Sequence, residues 1–255
     1  MPTILASIAV QSIYANSSGK LANLPSRMAR CPPDTKAAIL ALVDEVRAAG
    51  GTLQLSDLFR SFDMQFQAHL DFVTGKKKAF SPAPGGSMHE GGRAFDIDLK
   101  ALRIPLARFW ELAKKYGVMP VIASPNPRTS EAWHFDHPGS HQLVREYYAA
   151  GKGSNLKPYT AMAVSAILAI GETVTFVKGK EMQALVQSCL IRLGHSIGNI
   201  DGDIGPKTRG VLASLGLAGV PVMDTIKALE EKLEAKFPDE FFDHTEQQPE
   251  QWMLA

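Results

Sequence analysis

Cysteine is almost absent from this 255-residue sequence, which contains only Cys31 and Cys189. The two lie far apart and form no CxxC motif, so neither a disulfide framework nor a thiolate zinc site is indicated. Long apolar runs are also missing. The longest mainly apolar runs, residues 4–10 and 161–170, fall well short of the roughly 18 residues that a membrane span needs. We therefore expect no membrane-spanning helix.

A secretory leader is not evident at the start of the sequence. Residues 1–18 include a short apolar stretch, but no Lys or Arg precedes Lys20, and Gln11 and Ser12 interrupt the apolar residues. A signal peptide would carry a basic segment followed by a longer apolar segment. The sequence thus leaves the compartment undetermined.

Charge of one sign is not in large excess, since the formal net charge is +1. Residues 1–158 carry 19 Lys and Arg against 13 Asp and Glu, a net +6, and residues 159–255 carry 8 against 13, a net −5. The mild positive charge shows no dense basic stripe, so nucleic acid is not an expected partner. With 45% hydrophobic and 21% charged residues, the chain should form one or two globular domains.

Hydrophobic periodicity predicts a mixed α+β fold for the first part of the chain. The predicted helices span 34–49, 63–73, 105–117 and 140–149, and the predicted strands span 52–59, 93–99, 118–124 and 132–136. In the second helix we expect Phe66, Leu70 and Val73 to point inward. Regular helical crossovers between strands are lacking, so a small mixed or antiparallel sheet flanked by helices is favoured over a doubly wound sheet.

A segment rich in Gly and Ser, residues 151–158, is the best candidate for a domain linker. It follows a domain predicted at residues 1–150. The helices predicted after it span 159–170, 180–193, 206–215 and 222–236. We assign 159–240 to a small all-helical domain and 241–255 to an acidic tail. From Pro238 onward the chain has five acidic residues and no Lys or Arg, which fits either a loose tail or a strap over the domain.

Two linked motifs carry the chemistry of the first domain. The segment Ser87-Met-His-Glu-Gly-Gly-Arg-Ala-Phe-Asp96 fits the pattern SxHxxGxAxD, and Glu131-Ala-Trp-His134 is an ExxH motif with a Trp inside. Together they resemble the zinc-dependent peptidoglycan peptidases, which include D-Ala-D-Ala carboxypeptidases, D-Ala-D-Ala dipeptidases and phage L-alanyl-D-glutamate endopeptidases. The resemblance spans residues 34–150 and implies the fold and activity of that family.

This resemblance implies that His89, Asp96 and His134 bind a zinc ion and that Glu131 is the general base. The ligand chemistry is consistent, because a catalytic zinc takes three N or O protein ligands and keeps a fourth position for water. A carboxylate beside that water can take its proton and later pass it to the leaving amine. Since Glu131 and His134 would face opposite sides of a regular strand, we expect the chain to bend at Glu131.

Other assignments around these motifs are weaker. His89-Glu90 begins like the HExxH zinc motif, but position 93 is Arg. His137 is read as a surface residue or a residue behind the ligands rather than as a ligand. Asp98 and Asp136 are the next candidates for the base if Glu131 does not serve.

The segment Phe59-Arg60-Ser61-Phe62, followed by Gln65, resembles a YRSxxxQ-like segment of the same family, with Phe59 in place of Tyr. The resemblance implies that Arg60 and Gln65 bind substrate and that Arg60 stabilises the oxyanion. A guanidinium presents two donors to a carboxylate or oxyanion in a geometry that Lys does not match. By the same resemblance Ser87 donates a hydrogen bond to the substrate or the ligands, and Trp133 forms a wall of the pocket.

A second series of motif positions lies in the predicted helical domain. The matches to LQxxLxxLG and DGxxGxxT are Val186-Gln187, Leu190, Leu193-Gly194, Asp201-Gly202, Gly205 and Thr208. They resemble the three-helix peptidoglycan-binding domain, which implies a glycan strand as a partner. The aromatic-Gln pair of that domain is replaced here by Ser214-Leu215-Gly216. A helical bundle used only for packing or dimerisation is the alternative.

Taken together, the resemblances imply a zinc peptidase that cleaves an amide bond in the peptidoglycan stem peptide, first of all a D-Ala-D-Ala carboxypeptidase. An endolysin-type L-alanyl-D-glutamate endopeptidase is one alternative, and a catalytically silent wall-binding protein is another. The expected place of action is the cell wall, in the periplasm or outside the cell; without a leader, it would be reached by phage-type lysis. The sequence leaves open which bond is cut, the third residue of the stem peptide and the oligomeric state.

Overall fold

A computed structural model describes residues 3–247 and shows a mixed α+β protein, as expected from the sequence. The strands are β1 (Ala6–Ser7), β2 (Gln11–Ala15), β3 (Leu21–Asn23), β4 (Arg30–Cys31), β5 (Leu55–Asp57), β6 (Ala94–Ile97), β7 (Met119–Pro120) and β8 (His134–Asp136). The helices are α1 (Pro33–Ala48), α2 (Phe62–Val73), α3 (Leu106–Lys115), α4 (Gln142–Ala149), α5 (Pro158–Ala169), α6 (Glu181–Arg192), α7 (Pro206–Ser214) and α8 (Val222–Lys236). Within the described part of the chain, no helix is long and apolar enough to cross a bilayer.

Six strands form one mixed sheet in the order β3-β2-β5-β6-β8-β7. Strands β2 and β5 run parallel, and the other neighbours in this sheet run antiparallel. A separate two-stranded sheet joins β1 to β4. In the pairing of β6 with β8, Asp96 lies opposite His134. The sheet register therefore brings the two sequence motifs side by side.

The first four strands fall where the sequence predicted no element. They are short, and β2 has a single buried residue, Ser12, so no alternating apolar pattern marks it. The strand predicted over 118–124 shrinks to the two residues of β7. Pro120 lacks a backbone N–H, and β7 accordingly lies at the edge of the sheet.

Helix α2 turns its apolar residues toward solvent, so the inward orientation expected for them is wrong. Phe66, Leu70 and Val73 are 47%, 36% and 57% exposed, whereas Gln65 is completely buried. Periodicity locates an amphipathic helix but does not tell which face is covered. Here the covered face is the one that carries Gln65, whose amide forms hydrogen bonds with Arg60 and Ser81.

Helices α4 to α8 share a core that is separate from the core under the sheet. The core of the helices includes Val144, Tyr147 and Tyr148 of α4, which the sequence assigned to the first domain. The predicted linker corresponds to the loop between α4 and α5. Whether the parts on either side of it fold independently stays a prediction.

Helix α5 packs directly on the 3₁₀ turn Met88–Gly91 that carries the first motif. Met88 and Ala94 form a small third core with residues of α5, namely Met162, Ala163 and Ala166. A Cβ at Gly91 would lie 2.7 Å from the Cβ of Ala166, so only glycine permits this close approach. The helical region is therefore attached to the motif itself.

Residues 238–243, which include the start of the predicted acidic tail, lie across the protein as a strap. The carboxylate of Glu240 is buried and accepts hydrogen bonds from Ser140 Oγ and Arg192, and Asp243 pairs with Lys36 at 2.6 Å. Residues 248–255 of the predicted tail lie outside the described residues.

Candidate metal and active site

The three predicted metal ligands converge in the structure. His89, Asp96 and His134 are buried, and one ligand atom of each lies within 4.8 Å of the other two. His89 comes from the 3₁₀ turn, Asp96 from β6 and His134 from β8. Among the described residues, they form the group of His, Cys, Asp and Glu side chains placed closely enough to share an ion.

The turn that carries His89 is shaped by its neighbours in the first motif. Ser87 caps the turn by accepting a hydrogen bond from the His89 backbone N–H, and the Glu90 carboxylate accepts from the backbone of Ser87 and Gly85. Burial raises the pKa of Glu90 to about 7, although these N–H donors lower it. Gly92 ends the turn with φ at 66°, a left-handed conformation that glycine adopts without strain. The chain then enters β6 at the correct place to present Asp96.

The hydrogen bonds of the two imidazoles decide which ring nitrogens face the cluster. His89 Nδ1 donates to the carbonyl oxygen of Leu58 at 2.6 Å, so its Nε2 faces Asp96 Oδ1 at 3.4 Å. His134 Nδ1 faces the same Asp96 oxygen at 2.9 Å, and its Nε2 faces Asp136 Oδ1 at 3.1 Å. Partners of this kind, a carbonyl and a carboxylate behind the two rings, are what orient metal-bound histidines.

The surroundings of the cluster favour positive charge. Burial alone would lower the pKa of His134, but Asp136 and Asp96 outweigh it and raise that pKa to about 10. Burial alone would raise the pKa of Asp96, but His89 and His134 outweigh it and hold that pKa well below its usual range. A site whose carboxylates stabilise a cation at an imidazole is electrostatically suited to a metal cation.

The donor set and its spacing fit a zinc ion. Tetrahedral ligands about 2.1 Å from zinc lie about 3.4 Å from one another. The separations from Asp96 Oδ1 to the facing nitrogens, 2.9 Å for His134 and 3.4 Å for His89, are close to that value. Two imidazoles and one carboxylate leave a fourth position for water, as in catalytic zinc sites.

Glu131 lies in the wall of the cavity at the cluster, on the bend that the sequence predicted. Its backbone φ is 66°, and the His134 N–H donates to the Glu131 carbonyl oxygen at 3.0 Å. The side chain is half-buried, and this burial raises the pKa of the carboxyl despite the opposing effect of His134. A carboxyl with a raised pKa is a stronger base than one in water.

Arg60 is buried and holds several of the surrounding residues. Its Nε donates to Asp57 at 2.6 Å, Nη1 to Gln65 at 3.1 Å, and Nη2 to Asp96 Oδ2 at 3.5 Å. Arg60 also lines the cavity, but Gln65 does not. Gln65 instead bonds Ser81 and the Pro82 carbonyl, and so attaches the loop after α2 to Arg60.

A cavity of about 420 Å³ opens over the cluster. Ser87 and Trp133 line it, as do the three ligands and Glu131. Cationic side chains in its lining are Arg60, Lys77 and Lys157, and apolar ones include Phe80 and Val121. These cationic side chains suit a small ligand that carries a carboxylate.

Asp98, an alternative base, and His137, which was not expected to be a ligand, do not line the cavity. Asp98 accepts a hydrogen bond from the Lys100 backbone N–H, and His137 is buried against α1, where its Nδ1 bonds Thr35. Burial lowers the pKa of His137, although Asp34 raises it. Neither side chain belongs to the metal cluster.

Sequence reasoning missed two residues that the structure places at the site. Asp57 holds Arg60, and Tyr159 of α5 donates to Asp136 Oδ1 at 3.1 Å and lines the cavity. Asp57 carried no motif signal. Tyr159 was assigned to the second domain, so nothing in the local sequence connected it with the first.

Comparisons with known proteins return only remote likenesses. No family model matches the sequence, and no curated protein is significantly similar to it. Among solved structures, the chain is similar to the LD-carboxypeptidase LdcB (19% identity, 53% of this chain and 68% of that one, TM-score 0.40). It is also similar to a zinc-bound mutant of the vancomycin-resistance D,D-pentapeptidase VanY (17% identity, 58% of this chain and 88% of that one, TM-score 0.38). A third similar structure is DacB from Streptococcus pneumoniae D39 (24% identity, 54% of this chain and 80% of that one, TM-score 0.36).

Proposed function

We propose that this protein is a zinc-dependent peptidase that hydrolyses an amide bond in the peptidoglycan stem peptide, of the D-Ala-D-Ala carboxypeptidase type. One observation carries the proposal: His89, Asp96 and His134 form a cluster in the lining of a cavity that also holds Glu131. Six lining residues belong to the two motifs that resemble zinc peptidoglycan peptidases, namely Ser87, His89, Asp96, Glu131, Trp133 and His134.

Glu131 and Arg60 divide the remaining chemistry between them. A bound zinc ion supplies Lewis acidity and lowers the pKa of its water to roughly 7. Glu131 accepts the proton of the nucleophile and delivers it to the leaving amine. Arg60 has five N–H groups and uses three on Asp57, Gln65 and Asp96, so two remain for a carbonyl or carboxylate oxygen of the substrate.

Charge in the cavity lining favours a substrate with a free carboxylate near the scissile bond. Lys77 and Lys157 line the cavity together with Arg60. A peptide that ends in D-Ala-D-Ala brings its terminal carboxylate close to the bond that is cut, which suits three cations around one small cavity. This complementarity supports cleavage of an amide bond that lies next to a free carboxylate.

Digestion of purified sacculi, followed by mass spectrometry of the stem peptides, tests the proposal. Loss of the terminal D-Ala is the expected result with the zinc-loaded full chain. A cut between L-Ala and D-Glu would instead assign the endopeptidase activity, and intact stem peptides would contradict a peptidase. The matched control is His134→Ala, which should lose both the zinc and the cleavage, because a three-ligand site does not survive removal of one ligand.

We also propose that helices α6 to α8 bind the glycan strand and raise the local concentration of the insoluble substrate. The motif match at residues 186–208, which resembles peptidoglycan-binding domains, supports this proposal. In the structure Gln187, from that match, shapes the turn before α7: its Oε1 accepts from the N–H groups of Asp201 and Gly202. Co-sedimentation of the inactive His134→Ala protein with intact sacculi measures this binding, and a protein that stays in the supernatant would contradict it.

A further inference from the structure

The imidazole of His134 is supported from behind by a carboxylate that has a second donor. Asp136 Oδ1 lies 3.1 Å from His134 Nε2 and 3.1 Å from the hydroxyl of Tyr159. Tyr159 belongs to α5, beyond the part of the chain that carries the peptidase motifs. A side chain from the helical region thus reaches the same carboxylate oxygen as a predicted metal ligand.

The packing of α5 fixes Tyr159 in this position. Tyr159 packs at the edge of the small core that Met88 and Ala94 form with residues of α5. Met88 directly precedes His89, and Ala94 lies two residues before Asp96. Gly91 lets α5 approach the turn closely at Ala166. The hydroxyl is therefore held by a packed helix on one side and by the site on the other.

The chemistry of the contact gives Tyr159 a defined effect on His134. Asp136 is buried, so its oxygens depend on protein donors for their hydrogen bonds. Burial, followed by Asp136, raises the pKa of Tyr159 well above its usual range, so the hydroxyl remains a donor. Two donors on one oxygen restrict the rotation of the carboxylate, and the restricted carboxylate holds Nε2 of His134 as the protonated nitrogen.

We propose that Tyr159 is a positioning residue for the metal site: its hydroxyl holds Asp136, and Asp136 orients His134 so that Nδ1 faces the other ligands. This inference rests on the proposed metal site at His89, Asp96 and His134. It means that the helical region completes the site rather than only tethering it to the wall.

The test is the zinc affinity of the full-length Tyr159→Phe protein, measured by competition with a chromophoric chelator. The variant keeps the ring in the small core and removes only the hydroxyl. We expect zinc affinity to fall roughly tenfold, since partners behind metal-bound histidines contribute 10-fold to 100-fold. We also expect kcat to fall with KM nearly unchanged.

Tyr147→Phe is the matched control. Tyr147 is also a buried tyrosine, and its hydroxyl accepts from the backbone N–H groups of Ile197 and Gly198, away from the site. This variant should lose stability but keep its zinc affinity. If both variants lose zinc affinity equally, the effect of Tyr159 is structural and the inference is wrong.

A double-mutant cycle with Asp136→Ala tests the route through Asp136. Once Asp136 is removed, the further change Tyr159→Phe should have little effect on zinc affinity. Equal effects of Tyr159→Phe with and without Asp136 would overturn the inference, as would a Tyr159→Phe protein that binds zinc like the wild type. A wild-type protein that binds no zinc would instead contradict the proposed function, so the two failures are distinguishable.

Discussion

Glu131 combines a strained backbone with a carboxyl that burial makes more basic. Its φ of 66° lies in the left-handed region, which costs a residue other than glycine on the order of 1 kcal/mol or more. The bend places Glu131 in the cavity lining and lets His134 begin β8 with its imidazole in the cluster. Under the proposed function this strain has a reason, because it presents the proposed base and a proposed ligand three positions apart on one cavity.

Replacing Glu131, the proposed base, separates proton transfer from metal binding. In Glu131→Gln the side chain keeps its size but cannot accept a proton, so we expect turnover to fall by about 10²–10⁴-fold while zinc stays bound. Stem-peptide hydrolysis and zinc content, measured on the same preparation, check both parts. Asp98→Asn, which changes a carboxylate away from the cavity, should leave turnover unaffected. Activity retained in Glu131→Gln would move the base elsewhere, and lost zinc would make Glu131 a ligand.

At the scale of elements, helix α2 shows how a polar residue can determine which face is buried. Gln65 is completely buried and bonds Arg60, Ser81 and the carbonyl of Pro82, whereas Phe66 beside it is 47% exposed. The helix thus holds Arg60 on one side and the loop before Ser87 on the other. Its stability depends on hydrogen bonds at a position where an apolar residue would be the ordinary choice.

Substitution of the polar Gln65 should lower the stability of the protein more than substitution of the apolar Phe66, the reverse of what hydrophobicity alone suggests. Gln65→Ala removes the hydrogen-bond partner of Arg60 Nη1 and of Ser81 Oγ, and should lower the free energy of unfolding by about 1–3 kcal/mol. Phe66→Ala removes an exposed ring and should change it by less than about 0.5 kcal/mol. Urea denaturation of both variants measures the difference. A larger loss for Phe66→Ala would mean that the apolar face of α2 is covered.

The junction of α4, α5 and α6 contains a buried histidine that must remain neutral. His141 Nδ1 bonds Ser165 at 2.7 Å, and Ser165 in turn bonds Ser188 of α6 at 2.6 Å. Burial first, and then the nearby Arg192 and Arg93, hold the pKa of His141 well below its usual range. The charged form is therefore excluded from the folded protein.

Acid should destabilise the fold through this residue. Below about pH 6.5 the unfolded chain gains a proton at His141 that the folded chain does not bind, so its contribution to the unfolding free energy falls by up to about 1.4 kcal/mol per pH unit. His141→Gln cannot titrate. The stability advantage of the wild type over this variant should therefore shrink between about pH 7 and about pH 5 in urea titrations. An advantage that is constant or grows on acidification would contradict this account.

For the whole molecule, the C-terminal strap connects the sheet to the helices through buried charge. The Glu240 carboxylate lies 2.6 Å from Arg192 of α6 and 3.5 Å from Arg93, which directly precedes β6. Arg93 also pairs with Asp34 of α1 at 2.8 Å. Both guanidinium groups are almost completely buried, so each depends on these carboxylates for compensation of its charge.

Neutralising the strap should therefore be costly. Glu240→Gln leaves Arg192 without its charged partner, and we expect the free energy of unfolding to fall by about 3 kcal/mol. Asp239→Asn is the control, because the Asp239 side chain is 81% exposed and its substitution should have little effect. Thermal and urea unfolding of the two variants measure the contrast. Equal stability of both would mean that the strap does not connect the two regions.

The local sequence by itself determined the long helices, the fold class and the positions of the metal-binding candidates. Helices such as α1 and α8 bury their apolar faces, so the spacing of their apolar residues directly predicts which residues are buried. The motif from Ser87 to Asp96 is also determined locally, because all of its residues lie on one turn and the strand that follows it. These features need no information about distant parts of the chain.

Only the tertiary structure decided the strands of the first 31 residues, the covered face of α2 and the placement of Tyr159 of α5 at the candidate site. The pairing of Asp96 with His134 joins residues 38 positions apart, and the bond from Tyr159 to Asp136 joins α5 to β8. Short strands and buried polar residues are stabilised by partners distant in the sequence, so no periodic pattern marks them. Sequence thus named the proposed ligands, and packing determined what holds them.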